Sequence, residues 1–296
     1  MMFWGFNVSA VKVLIVNFNP VFITALRILT AGVTVLIICF FTGIFRMPTK
    51  KELLLILYIS TFNVIIQHTA ISYGLKFTTG VNGGLILGMA PLLTMMLSIL
   101  FLKEHVTLFR VAGFVLGFTG IIITTLSSSD SIVTFSFGDM FIFLGVLSQA
   151  ISFIFITKLN PNFDPRLFTS YMLIFGSFFI FLFSYLVEGN PVFQLPTLLN
   201  WKIALIFLFA SVFSTGLGQM IYNFSIKKVG PVESAVFINL NTLFSLVGAV
   251  IFLGETIKTH QFIGLFLIVL GVLSGLGFFE YIIKKEPANK KLKSYL

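Results

Sequence analysis

Long apolar stretches that stop at short polar joints constrain this chain more than any other feature. "PVFITALRILTAGVTVLIICFFTGIF", residues 20–45, carries a single charge, Arg27, and comparable runs recur to residue 283. A helix crosses the hydrocarbon core of a bilayer, about 30 Å, with about 20 predominantly apolar residues. Cutting at charges, prolines and Asn/Asp/Ser clusters gives ten segments: 1–16, 21–45, 53–75, 80–102, 107–126, 138–158, 166–187, 202–224, 231–253 and 260–283. The joints include "NFNP" (17–20), "RMPTKKE" (46–52), "KEHV" (103–106), "SSSDS" (127–131), "NPNFDP" (160–165), "EGNPVFQLP" (188–196) and "GETIKT" (254–259). Proline and glycine end helices for steric reasons, which supports these cuts. The first segment is short. Sixteen residues at about 1.5 Å each span about 24 Å, so either that helix is thinly anchored or the natural chain starts upstream of Met1.

Composition excludes a soluble fold. Of the 296 residues 57% are hydrophobic and 10% charged, and the mean hydropathy is +1.06; a soluble domain carries about 25% charged residues. The lone cysteine, Cys39, precludes an intramolecular disulfide. "MMFWGF" lacks the basic region and small-residue cleavage site of a signal peptide. The net charge of +9 reports topology rather than a nucleic-acid partner. Fourteen basic residues, from Arg46 to the tail lysines, fall on one side of the alternating loops, against Lys76, Lys202 and Lys258 on the other. The rule that basic loops stay inside puts both termini in the cytoplasm of a plasma-membrane protein. The basic tail, 284–296, is suited to anionic lipid.

A shift of 151 residues pairs Glu104 with Glu255, Phe101 with Phe252, Leu102 with Leu253, Gly113 with Gly264 and Gly120 with Gly271. "NPVFIT" (19–24) matches "DPRLFT" (164–169), Lys12 has a counterpart in Lys158, and Tyr73 in Tyr222. The reading is an all-α polytopic membrane protein of ten transmembrane helices in two five-helix repeats, 1–126 and 138–283. An odd number of spans inserts the second repeat upside down, with Glu104 at the cytoplasmic face and Glu255 at the outer face. Inverted repeats suit alternating-access carriers with a site between the halves.

"WG" (4–5), Lys12, Arg27, "LKEH" (102–105), "LGET" (253–256) and the glycines of spans five and ten together resemble the EamA branch of the drug/metabolite transporter superfamily, across nearly the whole chain and both repeats. The resemblance implies an exporter or exchanger of small metabolites, often amino acids, with a central cavity lined by several helices. The short first span departs from that pattern, as does Met172, where a second-half equivalent of Arg27 would fall.

Polar residues inside the spans supply the candidate site. Span three carries Ser60, Asn63 and Gln67 at helical spacing beside His68, and span eight carries Ser211, Thr215, Gln219 and Asn223 four apart. Gln149 with Ser152 in span six, and Ser234, Asn241 and Ser245 in span nine, complete the set. Isolated Ser and Thr can simply bind helices together, at about 0.6 kcal/mol each. Amide groups concentrated on spans three and eight fit cavity lining better, with Gln67, His68, Gln219 and Asn223 at its centre. His68, the only mid-span histidine, is a candidate for substrate binding or proton coupling. Two readings stand for Arg27: a functional intramembrane charge, or a side chain snorkelling to the outer interface. Lys12 reads as snorkelling. Glu104 and Glu255 read either as gating or coupling groups or as interfacial carboxylates beside Lys103 and Lys258.

No span holds two acids at i, i+3 or i+4, and no metal-ligand cluster, nucleophile elbow, Walker sequence or cofactor motif is present. The leading function is therefore outward transport of a small polar metabolite such as an amino acid or related zwitterion, by a monomer or homodimer in membrane lipid. A polytopic enzyme acting on lipid-linked substrates and a passive channel are the alternatives.

Overall fold

The computed structural model describes residues 1–102, 107–126, 136–157, 163–189, 191–230, 234 and 237–275. Among them the chain forms α1 (Met2–Asn17), α2 (Pro20–Phe41), α5 (Leu108–Leu126), α6 (Phe137–Ile156), α7 (Pro165–Glu188), α9 (Ile238–Leu253) and α10 (Thr259–Gly275), together with α3 (Lys50–Phe77), α4 (Gly80–Phe101) and α8 (Trp201–Val229). Six of these, α2, α3, α4, α6, α7 and α8, are long and apolar enough to cross a membrane; the apolar parts of the other four are shorter. Glu104, "SSSDS", Lys158 and the basic tail lie outside the described residues.

The helix starts follow local chemistry. Thr49 and Glu52 form a reciprocal capping box at α3, and Arg46 closes on Glu52 at 2.7 Å. Pro20 and Pro165 occupy first-turn positions where their missing N–H costs nothing. Asp164 caps α7. Within the segment expected as the loop 188–196 a 3-10 helix begins, Pro191–Leu199, and runs on past it. Side chains at the start of that segment and within the 3-10 helix tie down the start of α2. Glu188 accepts the Val21 and Phe22 amides at 3.0 and 2.9 Å, and Gln194 Oε1 accepts the Asn19 amide at 2.8 Å. A carboxylate there satisfies donors that a helix N-terminus leaves orphaned.

Polarity is inverted relative to a soluble protein. Phe41 is 83% exposed and Leu186 72%, whereas Asn63, Ser152, Ser211 and Asn223 are fully buried. Hydrocarbon outside and polar groups inside is what lipid selects.

α2 packs along α7 and α5 along α10; α1 lies on α9 and against the middle of α8, while α6 meets α4 and the second half of α3. At the α5–α10 crossing a Cβ on Gly120 would lie 2.7 Å from the Gly264 carbonyl oxygen, and one on Gly271 2.6 Å from that of Gly113. Only glycine allows the two backbones to touch there. Thr24 donates to Ser72 Oγ at 2.6 Å between α2 and α3, and Asn223 donates to Thr169 Oγ1 at 2.9 Å between α8 and α7.

Two of the long helices contain a π segment, Thr61–Ile66 in α3 and Phe209–Gly218 in α8. Hydrogen bonds from i to i+5 widen the turn there, so residues four apart no longer keep the face they would share in a regular α-helix. That local change affects which polar residues of α3 and of the middle of α8 reach the site.

Candidate functional site

A cavity of about 70 Å³ lies inside the bundle. α1 contributes Trp4 and Asn7, α2 contributes Arg27, and α3 contributes Gln67, His68 and Ser72. Leu87 comes from α4, Gln149 from α6, Thr215 and Gln219 from α8, and Asn241 from α9. About 10–15 Å³ of such space holds one water, so the volume accommodates a few waters or a compact polar molecule.

Arg27 is 2% exposed and points inward, away from the interface to which it could have snorkelled. Its Nη1 donates to Thr215 Oγ1 at 2.5 Å, and Nη2 lies 3.4 Å from His68 Nδ1. The π segment of α8 sets up the first contact: Thr215 Oγ1 donates to the Ala210 carbonyl five residues back and keeps a lone pair for the guanidinium. Since a guanidinium only donates, His68 Nδ1 is the acceptor, and the neutral ring carries its proton on Nε2.

The two polar stripes divide. Gln67 and His68 line the cavity, while Asn63, within the π segment of α3, does not. Asn63 accepts from Gln219 Nε2 at 2.8 Å and donates to Ser152 Oγ at 2.6 Å, which donates to the Gln149 carbonyl at 2.6 Å. This chain ties α8 through α3 to α6 and fixes the orientation of Gln219. In α8, Thr215 and Gln219 reach the cavity; Ser211 turns to the Phe207 carbonyl and Asn223 to Thr169. Asn7 and the Trp4 side chain are members that the spacing did not single out. Trp4 Nε1 donates to the Ser214 carbonyl at 2.8 Å, and its ring sits 5.0 Å from that of Tyr222.

Lys12 and Glu255 occupy another site, at the joint between α3 and α4. Lys12 Nζ donates to the Leu75 carbonyl at 2.5 Å and to that of Thr78, so it closes the end of α3 rather than snorkelling. Gly254, at φ +65°, ends α9 in the left-handed conformation and turns Glu255 toward α4. The Glu255 carboxylate accepts the amides of Gly80 and Val81, each at 2.8 Å. No group of three or more His, Cys, Asp or Glu suited to a metal occurs among the described residues.

The model of the EamA-like transporter family matches residues 1–126 and 136–274. An uncharacterized transporter of Bacillus subtilis, YyaM, is 29% identical over 99% of this chain and 94% of its own length. An uncharacterized transporter of Archaeoglobus fulgidus is 24% identical over 91% of this chain and 93% of its own. A WAT1-related chloroplastic protein of Arabidopsis thaliana, At3g02690, is 23% identical over 88% and 64%. A solved structure titled only as a crystal structure of a protein superposes with a TM-score of 0.63 at 16% identity, over 92% of this chain and 94% of that one, a likeness of fold alone. With a family match across nearly all of its length and this many apolar helices, the chain is a multi-pass membrane protein and belongs to the EamA-like transporter family.

Proposed function

We propose that the protein is a secondary carrier that moves a small polar metabolite, an amino acid or related zwitterion, outward across the plasma membrane by alternating access. The observation that carries this reading is the cavity around Arg27, lined by a cluster of polar side chains, to which α1 to α4 and α6, α8 and α9 all contribute. Buried amides and a guanidinium facing hydrocarbon would be costly, so a chain that gathers them around a space has a polar occupant for it.

Ten spans in two inverted repeats, 1–126 and 138–283, with both termini cytoplasmic, are part of the proposal. Packing supports the pairing of halves. The reciprocal glycine contacts of α5 and α10 are those of a two-fold crossing, and Thr24–Ser72 has its counterpart in Thr169–Asn223. Both π segments fall in α3 and α8, which correspond across the repeat. Glu255, on this reading, latches the outer end, since it holds the start of α4 beside Lys12.

Counterflow tests the carrier. Purified protein in liposomes loaded with an unlabelled amino-acid mixture should transiently accumulate external labelled amino acids above equilibrium, saturably. Equilibration without stimulation by the internal pool would make it a channel. Chemical conversion of the probe would make it an enzyme.

A further inference from the structure

Arg27 poses a charge problem that no described residue around it resolves. The ion pairs among the described residues join Arg46 to Glu52 and Arg166 to Asp164; Arg27, buried deeper than either, joins none. Its two recorded contacts, Thr215 Oγ1 and His68 Nδ1, are neutral. A buried charge is stable only when paired and hydrogen-bonded, and a guanidinium has five N–H groups to satisfy. His68 Nε2, which carries the ring proton, is buried without a partner. The same side of the inventory therefore holds a cation with spare donors and a further N–H donor, both lining one cavity.

The acceptors form the other half. Gln67 Oε1, Asn241 Oδ1 and Asn7 Oδ1 are also buried without partners, and all three residues line the cavity. Among the described residues no carboxylate lines it. An unpaired buried carbonyl oxygen costs about 1–3 kcal/mol, and three on residues that line one space suit a ligand that donates N–H groups.

We propose that Arg27 and His68 Nε2–H bind the carboxylate of the transported molecule, and that the amide oxygens of Gln67, Asn241 and Asn7 accept from its ammonium group. The ligand class is a small zwitterion with one negative charge. One guanidinium neutralises one carboxylate and leaves a dianion or phosphate uncompensated. A net cation meets no acid among the described lining residues and faces Arg27. Thr215 is a positioning residue, holding Nη1 so that the rest of the guanidinium faces the cavity. This half-site assignment rests on the carrier reading above for its physiological setting, but binding tests it separately from transport.

The experiment uses the purified full chain in detergent. Affinity is measured by calorimetry for each of the twenty proteinogenic amino acids, for sodium chloride, and for three analogues of the tightest binder: its carboxamide, its decarboxylated amine and its 2-hydroxy acid. Losing a charge-assisted hydrogen bond weakens binding about 10- to 100-fold. That loss is expected for the carboxamide and the amine, and a smaller one for the hydroxy acid. In Arg27→Gln the amino acid should fall to the level of its carboxamide while the carboxamide is unchanged. If Arg27→Gln does not fold, the comparison of acid with carboxamide on the wild-type chain decides alone. Equal affinity for acid and carboxamide, saturation by chloride alone, or no binding by any of the twenty overturns the proposal. Discriminating binding without counterflow would sink the carrier reading and leave the half-sites standing; counterflow that ignores the carboxylate would do the reverse.

Discussion

Removing the Glu255 carboxylate should destabilise the protein by about 2–4 kcal/mol, although the residue lies beyond the last turn of α9. Its two oxygens accept the amides of Gly80 and Val81, each at 2.8 Å, at the start of a helix whose apolar window is 78% buried. Hydrogen bonds to a charged group contribute about 1.5–3 kcal/mol each, for a gross loss of about 3–6 kcal/mol. Glu255 is half-buried, so water can replace part of that, which brings the figure down. Glu255→Gln keeps one acceptor and turns an NH2 toward the second amide, and should cost about half as much as Glu255→Ala. Lys258→Ala, at an exposed neighbour, should stay within about 0.5 kcal/mol of wild type. Reversible unfolding in mixed micelles measures all three. Amide exchange at Gly80 and Val81 gives a local readout, faster in Glu255→Ala and unchanged in Lys258→Ala. A Glu255→Ala protein as stable as wild type, or a Lys258→Ala protein equally damaged, would refute the capping role and leave an ordinary interfacial acid.

Gly120→Ala should cost about 1–3 kcal/mol through overpacking, because its Cβ would come within 2.7 Å of the Gly264 carbonyl oxygen; unfolding titrations that find no loss would remove the close α5–α10 crossing. At Asp164, burial pushes the carboxyl up, but hydrogen bonds from the Arg166 side chain and backbone outweigh it and hold the group below its ordinary value of 3.8. A lowered folded value means that the cap stabilises fully above that pH and fades as pH drops through the folded value. Asp164→Asn should therefore flatten the acid limb of the stability curve by up to about 1 kcal/mol, the range of exposed pairs, and an unchanged limb would contradict it. In a Cys39→Ala background, Ser129→Cys should react with an impermeant thiol reagent in intact cells and Thr49→Cys only after permeabilisation; the opposite pattern would invert the topology.

The helical class and the family were legible because lipid imposes a coarse rule: apolar runs of fixed length separated by polar joints. The glycine matches between spans five and ten were legible too, since backbone contact leaves no other residue to choose. The membership of the cavity was only half legible. Spacing alone puts Asn63 with Gln67 and Asn223 with Gln219. The π segment of α3 breaks the first pairing, and nothing in "TFNVII" announces an i to i+5 turn. Gln219 and Asn223 share a regular helical stretch, and tertiary contacts part them, Asn223 reaching Thr169 and Gln219 the cavity. Asn63 and Asn223 brace neighbouring helices while Gln67 and Gln219 face the space. Asn7 escaped notice, and Trp4 stood only in the "WG" of the family resemblance, because a lone amide and an indole in a short apolar helix look like packing. Arg27 and Lys12 have the same charge and similar placement near helix ends, yet one faces the cavity and the other closes α3. Only tertiary contacts separate them.

The most direct test of a transport cavity at this position is the counterflow rate per folded molecule of Gln67→Leu. Gln67 Oε1 is buried without a partner, so a leucine of similar size removes a polar liability and breaks no recorded side-chain hydrogen bond. A cavity residue predicts a melting temperature equal to or above that of wild type, with counterflow reduced at least about tenfold, the value of one lost hydrogen bond to a charged group. A packing residue predicts the reverse, and a Gln67→Leu protein that melts early yet transports at the wild-type rate per folded molecule would contradict the account.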